Sequence, residues 1–369
     1  MVSPTVVKSE SLKKNEPIYL LSEYDEDRKI RSKWLKCLLY AVLILTLVFT
    51  IQLLIERREN VGEIDRYQKM FNDFLVKFNR SYETPEELEY RLSIFRENVR
   101  EFEEEERKNP GVDFDVNHFT DRTNFELKTI VPQIKIRNET ARIHKQLYQE
   151  GESRPASFDW RHYGVVTSVK NQGQCGSCWA FAATAAIESQ FAIRRRYLVE
   201  LSEQEMVDCD SRSHGCNGGV PLYAMEFVKR KGLETEDDYP YQGHETHQCR
   251  LDTKSRRVFI DDYGQLQQNE DFIAEWVSRI GPVTFHMNVI KSMFSYRSGI
   301  FNPSSQDCQT RSTGAHAMTI VGYGVERSQP YWIVKNSWSK SWGEGGYMRL
   351  ARGVNACGVA QYVAAPIIL

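Results

Sequence analysis

The sequence predicts an α+β domain with a helical lobe, a β-rich lobe and a cleft between them, behind a charged helical region and one membrane-spanning helix. Three observations lead there. From about residue 155 onward, apolar residues first recur at helical spacing and then, halfway along, alternate with period two. Residues 62–109 are highly charged yet keep apolar stripes at helical spacing. Residues 37–55 form an uncharged apolar run about long enough to span a bilayer as a helix. Composition agrees with this plan. The 369 residues suffice for about two or three domains, and the 41% that are apolar can build a sizeable core. A net charge of −2 offers no overall basic field for nucleic acid.

Residues 1–36 are polar and expected to be flexible, a cytosolic tail. Arg28, Lys29, Arg31, Lys33 and Lys36 precede the apolar run, whereas Arg57 and Arg58 beyond it are offset by Glu56 and Glu59. That basic excess puts the N-terminus in the cytosol and the rest of the chain in the lumen or outside. A cleaved signal peptide is the rival reading, but its apolar core is shorter and ends at small residues. Glu56-Arg-Arg-Glu-Asn60 offers no such site, so residues 37–55 are expected to be an uncleaved signal-anchor. The sequons at Asn79 and Asn138 then fall on the lumenal side as candidate glycosylation sites.

Residues 56–153 come next. Tyr67, Phe71, Phe74 and Phe78 make an aromatic stripe. A second helix begins after Thr84-Pro85, with Leu88, Leu92, Phe95, Val99 and Phe102 on one face. Its other face, Glu101 and Glu103, Glu104, Glu105 and Glu106, reads as solvated charge. From residue 128 to 154 the apolar pattern fades, as in a linker open to proteolysis.

Residues 154–369 hold the chemistry. Cys178 ends the stretch Gln172-Gly-Gln-Cys-Gly-Ser-Cys and precedes small residues, 182–189, that read as a buried helix. A thiol at a helix N-terminus ionises more easily, because free N–H groups and the dipole favour negative charge. Ser202-Glu-Gln-Glu205 has a capping-box pattern, and Pro221–Lys231 reads as a helix ending at Gly232. Val283, Phe285, Met287 and Val289 mark one strand face; residues 316–321, 331–334 and 346–350 read as further strands. Of eight cysteines, Cys37 stands alone and seven follow residue 170, which allows three bridges and one free thiol.

A catalytic thiol needs a base to take and return its proton. Among five downstream histidines, His316 lies between small residues at the start of an apolar strand, where it can face the opposite lobe. Asn336 can fix its tautomer through an amide oxygen, and Trp338 can cover the pair from water. Gln172 can aim its side-chain NH₂ at a developing oxyanion, together with the N–H of Cys178. Together these residues make one acyl-transfer site.

The same residues resemble the papain-like cysteine peptidases of the cathepsin type, cathepsins L and F in particular. Gln-Gly-Gln-Cys-Gly-Ser-Cys-Trp matches the nucleophile segment of that family, and Cys216-Asn-Gly-Gly219, Gly322-Tyr-Gly324, Lys335-Asn-Ser-Trp338 and Gly345-Gly-Tyr347 match further along. His316 follows Cys178 by 138 residues, within the family's usual spacing; Asn336 follows by 158, slightly long, which a longer loop over 325–329 would explain. The resemblance implies a two-lobe papain-like fold with Cys178 as nucleophile, His316 as general acid/base, Asn336 as its orienter and Gln172 in the oxyanion hole. Six cysteines allow fifteen pairings. The family pattern implies Cys175–Cys216, Cys209–Cys249 and Cys308–Cys357.

The resemblance also gives residues 56–153 a meaning, since Glu87, Arg91, Phe95 and Asn98 match the helical motif of the family's inhibitory propeptide. Phe102 stands there for an isoleucine and Glu106 for an asparagine. Asn117, Phe119 and Asp121 match its second motif, with Asp115 in place of glycine. Such a propeptide runs through the cleft in a non-productive direction until cut, here expected between residues 151 and 157. The specificity pocket implied by alignment takes Gly218, Gly219, Val220, Pro221, His286, Ala315 and Tyr362, with Trp338 also placed against substrate. An imidazole and a phenol there predict a shallower, more polar pocket whose selectivity changes as His286 titrates in the acidic range.

The expectation is a cysteine endopeptidase zymogen, since no blocking loops of an exopeptidase stand out. It acts on protein and peptide substrates through a thiolate–imidazolium pair and an acyl-enzyme, needs no cofactor or metal, and is restrained by its propeptide and by cystatin-type inhibitors. It is made as a single-pass type II membrane precursor, its mature form lysosomal or extracellular. Two alternatives remain. Cys209, His214 and Cys216, or His244, His247 and Cys249, have loosely zinc-like spacing, although the bridges use the same cysteines. A catalytically silent binding protein on a peptidase scaffold is the other, against which all four catalytic residues are present.

Overall fold

The computed structural model describes residues 17–133, 154–252 and 254–369, with side chains outside 17–27 and 59–61. The chain divides into two compact units at Met70/Phe71. Helix α1 (Pro17–Lys77) supplies the first and, from Phe71, the start of the second. The polar stretch expected to be flexible is thus helical from Pro17 onward. Leu, Glu, Lys and Arg recur in it, and its proline takes the first helical position, where the missing N–H costs nothing. Within α1 the side chains of 37–55 are exposed, and the helix is long and apolar enough to cross a membrane.

The second unit opens on the aromatic stripe. Phe71 and Phe74 each meet Phe95 of α2 (Pro85–Lys108) at 5.2 Å between ring centroids. Thr84 caps α2 by accepting the Glu87 N–H, and Pro85 starts it. The acidic face of α2 is not merely solvated. Glu105 is buried on Arg311 at 2.9 Å, and Glu101 pairs with Lys291 at 2.9 Å. After β1 (Val112–Phe114) comes α3 (Asn124–Ile130), closed by a reciprocal cap between Thr123 and Glu126. Arg91 forks onto Glu126 at 2.8 and 3.0 Å, while the Asn98 amide donates to the carbonyls of Thr120 and Arg122. Ile130 and Val131 are buried, so the fading apolar pattern hid two anchored residues; a pair is too short to show a period.

The helical lobe holds α4 (Cys178–Arg195), α5 (Glu203–Cys209) and α6 (Pro221–Lys231), around a core that includes Trp179, Ile187, Met206, Met225 and Val228. Ser202 accepts the Glu205 N–H, but the Glu205 carboxylate turns away to the Glu234 N–H and Arg257, so only half of the capping box forms. The β lobe contains β2 (Phe158–Asp159), β3 (Asp262–Gln265), α7 (Glu270–Arg279), β4 (Val283–Ile290), β5 (Tyr296–Phe301), α8 (Ser305–Thr310), β6 (Ser312–Glu326), β7 (Gln329–Lys335), β8 (Tyr347–Ala351) and β9 (Val363–Ile367). The strands form one sheet in the order β1-β5-β8-β7-β6-β4-β9-β3, with β2 on β6; β1 is a strand added by the segment before the two lobes. All β4 residues except Asn288 are buried, because α4 packs against β4 and β6; period two therefore found only one of two covered faces. The β6–β7 hairpin turns through Arg327 and Ser328, both at positive φ, with Glu326 opposite Gln329. Extended strands and a two-residue turn fill 325–329. Disulfides join Cys175–Cys216, Cys209–Cys249 and Cys308–Cys357, and Cys37 and Cys178 are free.

Candidate active site

Cys178 is the first residue of α4 and is fully buried. Behind it, Trp179 donates its indole N–H to the Gly215 carbonyl at 3.1 Å, which fixes the start of the helix. The facing lobe brings β6, whose Ala317 N–H donates to the Cys178 Sγ at 3.5 Å. His316, one residue earlier, donates from Nε2 to the Asn336 Oδ1 at 2.7 Å. That bond leaves Nδ1 as the bare nitrogen of a neutral ring, and Nδ1 takes no other hydrogen bond. Trp338 stacks on the imidazole at 4.6 Å, and Phe294 stacks on the same indole at 4.6 Å.

Gln172 is held on every side. Its Oε1 accepts the Ser337 hydroxyl, its carbonyl accepts the Tyr241 hydroxyl, and its Nε2 donates to the Cys175 carbonyl at 2.9 Å. The second Nε2 hydrogen goes to the carbonyl of Ile130, at the end of α3, at 3.0 Å. Val131 and Pro132 continue along the cleft, where a Cβ on Gly314 would lie 1.7 Å from the Val131 oxygen and one on Gly176 2.9 Å from Pro132. Cys178 and His316 are both buried. Burial pushes the Cys178 thiol up to about 11 against the pull of the Ala317, Trp179 and Cys178 amides. Burial likewise brings His316 down to about 4, although Asn336 supports the cation. Burial thus opposes the charged form of both groups, while the amides and Asn336 favour it.

Gly314 makes the cover testable. Gly314→Ala is expected to displace residues 130–132 while leaving β6 intact. Overpacking of this kind costs roughly 1–3 kcal/mol, so a thiol trap should label Cys178 of the uncut chain about tenfold faster or more at pH 7. Equal labelling rates would show that these residues do not shield the sulfur.

A charged network lies beneath the site. Lys170 reaches Glu203 at 2.9 Å and Glu188 at 3.3 Å, and Lys335 donates to Thr167, which in turn bonds Glu188. Burial pushes the Glu203 carboxyl up and Lys335 down, whereas Glu188 and Glu203 outweigh burial at Lys170 and raise it. Lys170 stands two residues before Gln172, and Lys335 precedes Asn336, so the network fixes both segments from below. Sequence reasoning missed it. The available signal was a glutamate among the mostly small residues of 182–189 and a lysine closing an apolar strand.

Of the residues aligned to the specificity pocket, Val220, Pro221, His286 and Tyr362 line one cavity with Gln265 and Thr284. His286, Tyr362 and Ala315 line a second with Asn288 and Gln361. Gly218 and Gly219 lie outside both, although the Gly219 backbone bonds the His286 ring, and Trp338 lies across His316 instead. Burial, helped by His316, lowers His286 to about 4, so the expected titration moves to the acid end of its range. Asn79 is exposed at the end of α1, and Asn138 lies outside the described residues. Among the described residues, no group of three or more His, Cys, Asp or Glu is placed to hold a metal ion.

The profile of the papain family cysteine proteases matches residues 154–367, and that of the cathepsin propeptide inhibitor domain matches residues 71–127. The chain belongs to the papain family of cysteine proteases. It is a papain-type cysteine endopeptidase in zymogen form, with the propeptide domain packed on the protease. The protease is 39% identical to mouse cathepsin F over 81% of its own length and 64% of that relative. It is 38% identical to a cathepsin L-like proteinase of Phaedon cochleariae, over 82% of its length and 94% of the relative. The digestive procathepsin L2 proteinase of Tenebrio molitor superposes with a TM-score of 0.75 at 33% identity, over 82% of this chain and all of that one. These likenesses give no support to a catalytically silent binding protein.

Proposed function

We propose that the protease cuts internal peptide bonds with Cys178 as nucleophile, His316 as general acid/base, Asn336 as its orienter and Gln172 as the oxyanion donor. His316 Nδ1 takes the thiol proton as Sγ bonds the scissile carbonyl carbon. The oxyanion forms against Gln172 and the Cys178 N–H, and the proton then passes to the leaving amine. Water, deprotonated by the same nitrogen, splits the acyl-enzyme into acid and free thiol. The observation that carries this reading is the Ile130 carbonyl on the Gln172 amide, where the donor meets a peptide oxygen of the propeptide beside a buried thiol.

Activation in this reading is a cut between residues 151 and 157, which removes the cover and releases domain 154–369 from residues 1–153. The helix over 37–55, with its basic N-terminal flank, supports a type II precursor with glycans on Asn79 and Asn138. The mature enzyme then acts in lysosomes or outside the cell, on protein substrates, under cystatin-type inhibitors. His286 and Tyr362 make the specificity pocket polar at its base. An epoxide thiol trap is expected to label the acid-processed enzyme at residue 178, to label the uncut chain far more slowly, and to spare Cys178→Ser altogether. Labelling that survives Cys178→Ser would remove the assignment.

A further inference from the structure

The propeptide reveals a surface of the protease that its departure leaves unpaired. Lys291 follows β4, and Arg311 lies between α8 and β6. Along α2, Glu97, Glu101 and Glu105 recur every four residues on one helix edge. Lys291 meets Glu101 at 2.9 Å and Glu97 at 3.6 Å; Arg311 meets Glu105 at 2.9 Å and Glu101 at 3.4 Å. Arg311 also holds Asp307 of α8 at 3.2 Å, which keeps the guanidinium in place when α2 leaves. Lys291 has both these carboxylates from the propeptide. Beside Lys291, Phe119 meets Phe294 at 5.2 Å and Trp338 at 5.3 Å in T-shaped contacts, so its removal opens an aromatic wall that continues to His316.

We propose that Lys291 and Arg311, bordered by Phe294, form an exosite on the mature enzyme for an acidic α-helix of a protein substrate. The inference rests on the reading above, in which the propeptide is removed. The fit is geometric as well as electrostatic, because the propeptide already seats such a helix. Carboxylates four residues apart stack one helical turn after another, and two cations, one of them held by Asp307, meet three of them. A flexible polyanion lacks that spacing. Bound there, a helix holds its protein beside the cleft and raises the local concentration of nearby cleavable segments.

The test uses mature enzyme. Turnover of a tripeptide amide is measured first, and the thiol is then blocked with an epoxide. Binding of a fluorescent alanine-based helical peptide of about 20 residues is followed by anisotropy, with Glu, or Gln as control, at every fourth position. The Glu peptide is expected to bind about tenfold tighter than the Gln peptide at low salt, and the ratio to fall towards one in about 0.5 M salt. Lys291→Glu with Arg311→Glu should abolish the preference, and the milder Lys291→Gln with Arg311→Gln should halve it or more, both with unchanged tripeptide turnover. Equal binding of the two peptides, an unaltered preference in the double variants, or a heparin octasaccharide that binds this patch where the Glu peptide does not, would overturn the exosite. No tripeptide turnover by the wild type would instead overturn the catalytic reading, and the exosite with it.

Discussion

Gln172→Ala is expected to lower kcat of the mature enzyme about 10²–10³-fold, the usual cost of deleting one oxyanion donor. In the zymogen one hydrogen of the Gln172 amide goes to the Cys175 carbonyl and the other to Ile130. The first keeps the amide plane fixed; the second becomes available to substrate when the propeptide leaves. Ser337 and Tyr241 hold the rest of the residue, so the donor is in place before charge develops and little reorganisation is needed. A preorganised donor favours the oxyanion over the ground-state carbonyl, so the loss should fall on kcat with KM changed about twofold or less. Steady-state kinetics on a peptide substrate decide it. A drop below about tenfold, or one carried by KM, would mean that Gln172 only shapes the cleft.

Acid is expected to open the zymogen, and the sign follows from a histidine of the propeptide. His118 lies largely buried in the propeptide; burial first, and then Arg80 and Arg122, bring it down to about 4. Its unperturbed value is near 6.5, so the form in which the propeptide has opened binds more protons between pH 6.5 and 4. Closure is therefore at full strength above about 6.5, weakens as pH falls, and has lost the histidine contribution below about 4. His118 alone accounts for about 3 kcal/mol on this basis, an order-of-magnitude figure. Glu126 acts lower down. Burial opposes its charge, but Arg91 and the Thr123 cap outweigh it and hold the carboxyl at about 2. Its support is present above about 4.5 and lost as pH falls from there towards 2. The rate at which Cys178 becomes reactive to a thiol trap should rise steadily from pH 6.5 to 4. His118→Leu should flatten part of that rise and leave the portion below 4.5. A pH profile identical to wild type would exclude His118 from the response.

The local features of the chain were legible because they follow from neighbours in sequence. Thr84-Pro85 marks a helix start wherever it stands, the run 182–189 reads as a buried helix by its small residues, and Gly232 ends one by its positive φ. The residues proposed for the site, Cys178, His316, Asn336 and Gln172, stood out too, through the chemistry open to them and the spacing they share with a known family. Errors arose where a pattern was short or reciprocal. The half-formed cap at Ser202 is one case, since the sequence signal was complete but Arg257 and the Glu234 amide, distant in sequence, claimed the Glu205 carboxylate.

The sequence by itself pointed to the free cysteine, to the propeptide segment, and to where helices give way to strands, because those properties reside in residue type, in shared motifs and in short-range period. Tertiary structure alone decided that Glu101 and Glu105 face Lys291 and Arg311, that Ile130 occupies the Gln172 amide, and that Lys170, Glu188, Glu203 and Lys335 share one buried network. It also decided that burial opposes charge on the covered thiol and imidazole. Charge pairing and desolvation depend on distances between segments far apart along the chain, and no local pattern of residues specifies those distances.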